Sequence, residues 1–244
     1  MKTIKTITLF IIISLLSTNG FTQISGYLGK KNIISGSLFM KSSFSMPNKN
    51  GKNGYFSFND HYSLEYERVI NRISSIKLHL TSFESRYNIM GEEIVDMTEL
   101  NTFSTKALGI DYLFYRNSYL APLGIYFSAG FDVFLSDVNI DTASINNNYA
   151  YYLSGQRFEF DQINTVHLGL NFKSGVKQIF FNCISFDVNF QLGAIFAKPA
   201  TVDYEFSGYS DNSATSEKYI KDVIGSRLWG HYVWGVNCSV GFVF

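Results

Sequence analysis

The sequence predicts an all-β chain, an eight-stranded antiparallel up-and-down transmembrane β-barrel, and three observations carry that prediction. Eight segments alternate apolar and polar residues with a period of two, the signature of strands with two unlike faces. The connections between them run long, short, long, short, long, short, long, as a chain threaded up and down through a membrane requires. The polar parity is also the wrong kind for a water-facing sheet. It holds Gly, Ser, Asn and single charges, with Gly109, Gly124, Gly130, Gly169, Gly175, Gly193, Gly235 and Gly241 all on it. Small residues suit the crowded inside of a narrow barrel, while the large apolar residues suit lipid. In hydrocarbon every backbone N–H and C=O must be paired, so strands span only as a closed cylinder.

The start of the chain is set apart from this pattern. Lys2 and Lys5 form a basic n-region, Leu9 to Leu16 a short apolar h-region, and Gly20 and Thr22 put small residues before Gln23. That reads as a cleaved secretory signal peptide over residues 1–22, leaving a barrel domain over 23–244. No later run approaches the ~18 apolar residues of a helical span. Of the 244 residues 23 are Phe and 16 Tyr, and basic residues are neither in excess nor clustered, so no nucleic-acid partner is expected.

Taken in order, the first strand covers Asn32 to Phe44, with Ile34, Leu38 and Met40 opposing Ser35, Ser37 and Lys41. The second, Tyr55 to Ile70, sets Tyr62, Leu64 and Tyr66 against His61, Ser63, Glu65 and Glu67, and a tight turn at Asn71-Arg72 leads to Ser75 to Asn88. The alternation blurs at Ser82-Phe83, where either a bulge or the membrane boundary is expected. The fourth strand is Thr105 to Arg116. The fifth, from Leu123 to Leu135, is the clearest: Ile125, Phe127, Ala129, Phe131 and Val133 alternate with Gly124, Tyr126, Ser128, Gly130 and Asp132. The sixth, Thr165 to Val176, turns near Asn182 into the seventh, Ile184 to Phe196. A long loop, Lys198 to Asp222, precedes a closing strand from Leu228 to Phe244, on which Leu228, Tyr232, Trp234, Val236, Cys238, Val240, Phe242 and Phe244 share the apolar parity.

Aromatics near strand ends fit interfacial girdles: Tyr112, Phe114, Phe180, Phe181, Phe242 and Phe244 on the periplasmic side, and Phe56, Phe58, Tyr62 and Trp229 on the outer side. Strand pairing then predicts charge pairs in the lumen. Glu67 falls opposite Lys77 and Glu65 opposite His79; across the turn near Asn182, Lys173 falls opposite Asp187. Buried charges require partners, so this network is expected to be a structural plug rather than a proton relay. Cys238 points to lipid and Cys183 inward, which leaves two free thiols.

Signal peptide, eight strands, long outer loops and a terminal aromatic resemble the small OmpA/OmpX-type outer-membrane barrels of Gram-negative cells. The GYLGKK run from Gly26 to Lys31, with cleavage before Gln23, is similar to barrel proteins of Bacteroidota. The resemblance implies a cell outer-membrane location and contact with outer-membrane lipid. It further implies recognition of the last strand, through Trp234, Phe242 and Phe244, by the barrel-assembly machinery. It brings no catalytic residues.

Eight-stranded barrels that modify lipid A need a His–Ser or His–Asp set at the outer rim. His61 lies nearest that rim, while His79, His167 and His231 are scattered, so no enzyme is expected. Asp137, Asn139 and Asp141 have the opening spacing of a calcium loop, but Thr142 stands where its Gly belongs and Asn148 where its Glu belongs. No cofactor or metal centre is expected. The acidic outer loops (Glu92, Glu93, Asp96, Glu99, then Asp203, Glu205, Asp211, Glu217) suit diffuse binding of divalent cations or plain solubility. The Tyr149, Tyr151, Tyr152 and Phe158 cluster packs on its own loop by default, with a sugar or a partner protein as the alternative. An outer-membrane protein partner, if any, is expected through these extracellular loops. The expected role is structural or interactive: envelope integrity, adhesion or accessory membership of a complex. A narrow, porin-like solute channel and a lipid-modifying enzyme are the alternatives.

Overall fold

A computed structural model describes residues 26–43, 54–86, 102–116, 120–139, 162–197 and 213–244. The signal-peptide segment, the Tyr149–Phe158 cluster and most of the acidic loop residues lie outside them. Eight strands form one closed antiparallel barrel in sequence order: β1 (Asn32–Ser43), β2 (Gly54–Asn71), β3 (Ser74–Arg86), β4 (Thr102–Tyr115), β5 (Gly124–Asn139), β6 (Gln162–Phe180), β7 (Ile184–Ile195) and β8 (Trp234–Val243). β1 pairs β8 from Ile33↔Val243 to Met40↔Val236, which leaves no free edge. The apolar parity points outward on every strand; Leu64, Leu108, Phe127 and Phe172 are each at least 57% exposed. Such a surface on a closed cylinder is a lipid-facing belt.

The short turns gather at the end where β1 and β8 meet. Asn71 Oδ1 accepts the Ile73 N–H at 2.9 Å, an Asx-type closure of the β2–β3 hairpin. Between β6 and β7 the chain reverses over Phe181–Cys183, with left-handed φ at Phe181 (51°) and Asn182 (61°). That turn fixes Phe180 opposite Ile184 and therefore Lys177 opposite Asp187. The expected Lys173–Asp187 pairing is displaced by four residues along β6; Lys173 sits opposite Gln191 instead.

The principal departure from the sequence reading lies between β7 and β8. Ser213–Tyr232 is a helix, α1, so the long loop contains it and the last strand begins at Trp234, not Leu228. Leu228 and Tyr232, expected on the lipid face, are 0% and 7% exposed inside the barrel mouth. The physical reason is visible in the spacing. Ile224, Leu228 and Tyr232 recur every four residues and so line one face of a helix as readily as one parity of a strand. Trp229 likewise sits on α1, its Nε1 donating to the Ala197 carbonyl at 2.9 Å, and not in an outer girdle strand. Ser82-Phe83 carries no bulge, because β3 and β4 pair without a shift from Ser74↔Phe114 to Arg86↔Thr102. Phe83 breaks the alternation because it is an aromatic that faces the lumen, 4% exposed.

Candidate functional site: the lumen

The lumen is where the described residues gather buried charged groups of both signs, and it is layered. At the periplasmic end Val69, Leu113, Tyr115, Ala121 and Tyr126 make an apolar seal, each at most 2% exposed. Tyr115 and Tyr126 turn their hydroxyls away from that seal into the ionic layer above it. Tyr115 donates to Glu67 Oε1 at 2.8 Å and Tyr126 to Asp187 Oδ1 at 2.8 Å.

Two acid–base layers follow. In the lower one Lys177 donates to Glu67, Ser75 Oγ donates to Glu67 Oε1 at 2.6 Å, and Lys77 Nζ reaches Glu65 Oε2 at 2.9 Å and Asp187 Oδ2 at 3.3 Å. In the upper one Lys173 Nζ donates to Asp111 Oδ2 at 2.6 Å, and His79 Nε2 lies 2.6 Å from Asp132 Oδ1. The other imidazole nitrogen, Nδ1, is 3.5 Å from Asp111 Oδ2, and Asn171 Nδ2 donates to Asp132 Oδ2 at 2.7 Å. Every one of these charged side chains is at least 92% buried.

Backbone register does place Glu67 opposite Lys77 and Glu65 opposite His79. The ion pairs nonetheless run elsewhere. Lys77 reaches diagonally to Glu65 and across the lumen to Asp187 on β7; Glu67 on β2 is met by Lys177 on β6; His79 on β3 is met by Asp132 on β5. A closed cylinder brings non-adjacent strands within side-chain reach, so Lys77 and Lys177 each divide between a carboxylate of their own hairpin, Glu65 and Asp187, and one across the lumen, Asp187 and Glu67.

Glycines make the room for this. A Cβ built on Gly109 would stand 2.0 Å from Asp132 Oδ1 and 2.2 Å from His79 Nε2; one on Gly130 would stand 1.9 Å from Asp111 Oδ1. The small lumen face recognised in the sequence is thus the space occupied by the charges.

Above the charges lies a cavity of about 40 Å³ with a mixed wall, polar at Ser63, Glu65, Lys173 and Gln191 and aromatic at Phe39, Phe83 and Phe134. It is large and polar enough to hold water. α1 closes it from outside. Tyr232 inserts its ring edge-on against Phe134, with centroids 4.9 Å apart, and its hydroxyl donates to Asp132 Oδ2. Gly193 leaves the space for that ring, since a Cβ there would meet Tyr232 Cδ1 at 2.5 Å.

Next to Tyr232, His231 brings together residues that strand register alone keeps apart. Its Nε2 is 2.7 Å from Ser85 Oγ, and its Nδ1 is 3.3 Å from His61 Nε2. His61 is stacked on Phe83 at 4.0 Å between centroids and on Phe39 at 5.0 Å. A Ser–His–His line of this kind has the connectivity of a nucleophile and its base. All three side chains are at least 96% buried beneath the helix, so the line presents nothing to a substrate. His167 contacts the helix differently, lying 2.9 Å from where a Cβ on Gly225 would be.

The remaining sequence candidates are quickly placed. Among the described residues no group of three or more His, Cys, Asp or Glu is arranged to hold a metal. Asp137 and Asn139 are strand residues at the end of β5, opposite Ser104 and Thr102, and not part of a loop. Cys183 and Cys238 are both free and partly exposed. Trp234, Phe242 and Phe244 lie on the outward face, and Phe242 and Phe244 stack at 6.4 Å.

A closed eight-stranded cylinder with a greasy outer belt, a charge-filled axis and short turns at the end of its termini defines a class: the small outer-membrane β-barrel. No family model matches the chain, and no curated protein matches it in sequence. Solved structures do. The chain is similar to the N-terminal β-barrel domain of Pseudomonas aeruginosa OprF, at 9% identity over 88% of this chain and 98% of that one, with a TM-score of 0.41. It is similar to Ail, the attachment invasion locus protein of Yersinia pestis, at 11% identity over 88% and 97%, with a TM-score of 0.36. Neisserial surface protein A matches at 10% identity over 87% and 96%, with a TM-score of 0.40.

Proposed function

We propose that this outer-membrane barrel is a closed, non-conducting wall element whose role is structural or interactive, with its extracellular loops as the contact surface. The observation that carries the reading is the lumen, occluded in series by the apolar seal, by the interlocked charges and by α1. Glu65, Glu67, Lys77, His79, Lys173 and Asp187 act here as a structural plug. A hydrated pathway for ions would need this lattice to separate, and removing one partner of a buried pair typically costs about 3–5 kcal/mol.

Single-channel recording in planar bilayers tests the proposal. The purified protein is expected to give a flat baseline, and reproducible conductance steps would overturn it in favour of a narrow channel. The envelope-integrity, adhesion and accessory-subunit readings divide on a stoichiometric companion. Pull-down of detergent-solubilised native protein returns an outer-membrane protein for an accessory subunit and none for a free barrel. Trp234, Phe242 and Phe244, outward on the closing strand, are suited to recognition by the barrel-assembly machinery; their alanine variants are expected to accumulate unassembled. Burial of the Ser85–His231–His61 line speaks against lipid modification, and lipid A of unchanged mass with and without the gene is the expected result.

A further inference from the structure

The two ends of the barrel wall differ in charge, and the periplasmic end is one-sided. Residues 26–34, 68–76, 112–116, 120–127, 176–186 and 240–244 build that end, and they contain no Asp or Glu. They do contain Lys31, Arg68, Arg72 and Arg116, all exposed. At the opposite end the outward-facing residues include Glu84 and Asp137.

The basic residues are also contiguous along the rim. Arg68 pairs with Asn32, beside Lys31, and the Val69 N–H donates to the Lys31 carbonyl at 2.8 Å. Arg72 accepts the Ala121 N–H at 2.8 Å through its carbonyl, and the Arg116 N–H donates to Ile125. The arc therefore runs along β1, β2, β3 and β4. The β6–β7 turn of Phe180, Phe181, Asn182 and Cys183 has no charge of its own and takes one from Lys30, whose Nζ donates to the Asn182 carbonyl at 2.9 Å.

Arg68 and Arg116 share the outward parity of Tyr66 and Phe114, so each guanidinium leaves the wall where the apolar belt ends. That is the depth of the inner-leaflet phosphates, and Arg binds phosphate through a planar fork of donors. From this placement we propose that the β1–β4 side of the periplasmic rim is a binding surface for anionic phospholipid headgroups, selecting phosphatidylglycerol-type over zwitterionic lipid. The aromatic neighbours fix the depth and the arginines supply the selection. The arc would gather a patch of anionic lipid at the β1–β4 side of the rim.

Native mass spectrometry of the purified protein in detergent, titrated with phosphatidylglycerol or with phosphatidylethanolamine, tests this. The wild type is expected to retain phosphatidylglycerol preferentially. The triple variant Arg68→Gln/Arg72→Gln/Arg116→Gln is expected to lose that preference by about 100-fold, on a contribution near a factor of five per surface basic residue. Lys106→Gln, on the outward face towards the other end, should keep it. Soluble glycerol phosphate in excess should not compete, which separates a headgroup held at the membrane from a free phosphate site. Because all three arginines are exposed, the variants are expected to fold; heat-modifiable gel mobility checks this, and Arg68→Lys/Arg72→Lys/Arg116→Lys should restore part of the preference. Equal retention of both lipids by the wild type, or an unchanged preference in the triple variant, would overturn the proposal.

Discussion

The periplasmic half of the lumen and its outer mouth are sealed by different means. Below, strands alone do the work: β2 to β7 supply charges and hydroxyls to one lattice, closed underneath by Tyr115, Tyr126 and their apolar neighbours. Above, a segment outside the sheet does it, with α1 laying Leu228, His231 and Tyr232 across the opening. The difference teaches that a barrel's plug can be wall or insert. The two should fail separately: damage to the lattice loosens the whole cylinder, and damage to the helix loosens only the mouth.

The largest effect is expected from Glu67→Ala, which leaves Lys177 buried without its carboxylate partner. About 3–5 kcal/mol of stability should be lost, read from urea unfolding in lipid vesicles. Glu67→Gln with Lys177→Met should recover much of it; a single variant as stable as wild type would show that the lattice carries no weight. Leu228→Ala should cost about 2–3 kcal/mol, confined to the mouth. Hydrogen exchange should quicken across 221–232 while β4 and β5 stay protected, and equal quickening of both would erase the distinction drawn here.

Smaller effects sharpen the contrast between the two faces of the wall. Gly109→Ala puts a methyl against Asp132 and His79 and should cost about 1–3 kcal/mol. Gly36→Ala, on the lipid face with open space around it, should change stability by less than about 0.5 kcal/mol. Tyr232→Phe removes only the hydroxyl given to Asp132 and should cost about 1–2 kcal/mol, with the edge-on ring contact to Phe134 intact.

How far the sequence could be read follows the same division. The walls were legible because a half-exposed strand writes its two environments alternately along the chain, and β5 does so from Ile125 to Val133, until Phe134 turns an aromatic into the lumen. Strand pairing at Asn71 was legible too, since a tight turn fixes register. The cross-lumen partners of Lys77 and Lys177, Asp187 and Glu67, were not, because they sit on β7 and β2, which only closure of the cylinder brings near. α1 was hidden for another reason. Leu228 and Tyr232 satisfy both a period of two and a spacing of four, and the strand that follows drew them into its own pattern. The meeting of Ser85, His61 and His231 depended on that helix, so it was out of reach as well.

The measurement that bears most directly on the account is the solvent met by neighbouring residues of one strand. In a Cys183→Ser/Cys238→Ser background, spin labels placed singly at Ala129, Phe131 and Val133, and at Ser128 and Gly130, would be compared for collision with oxygen and with a water-soluble nickel chelate in vesicles. The outward set is expected to favour oxygen and the inward set to be shielded from both. Inward positions open to the chelate along the whole strand, or outward positions that favour it over oxygen, would contradict the assignment of faces on which every other conclusion rests.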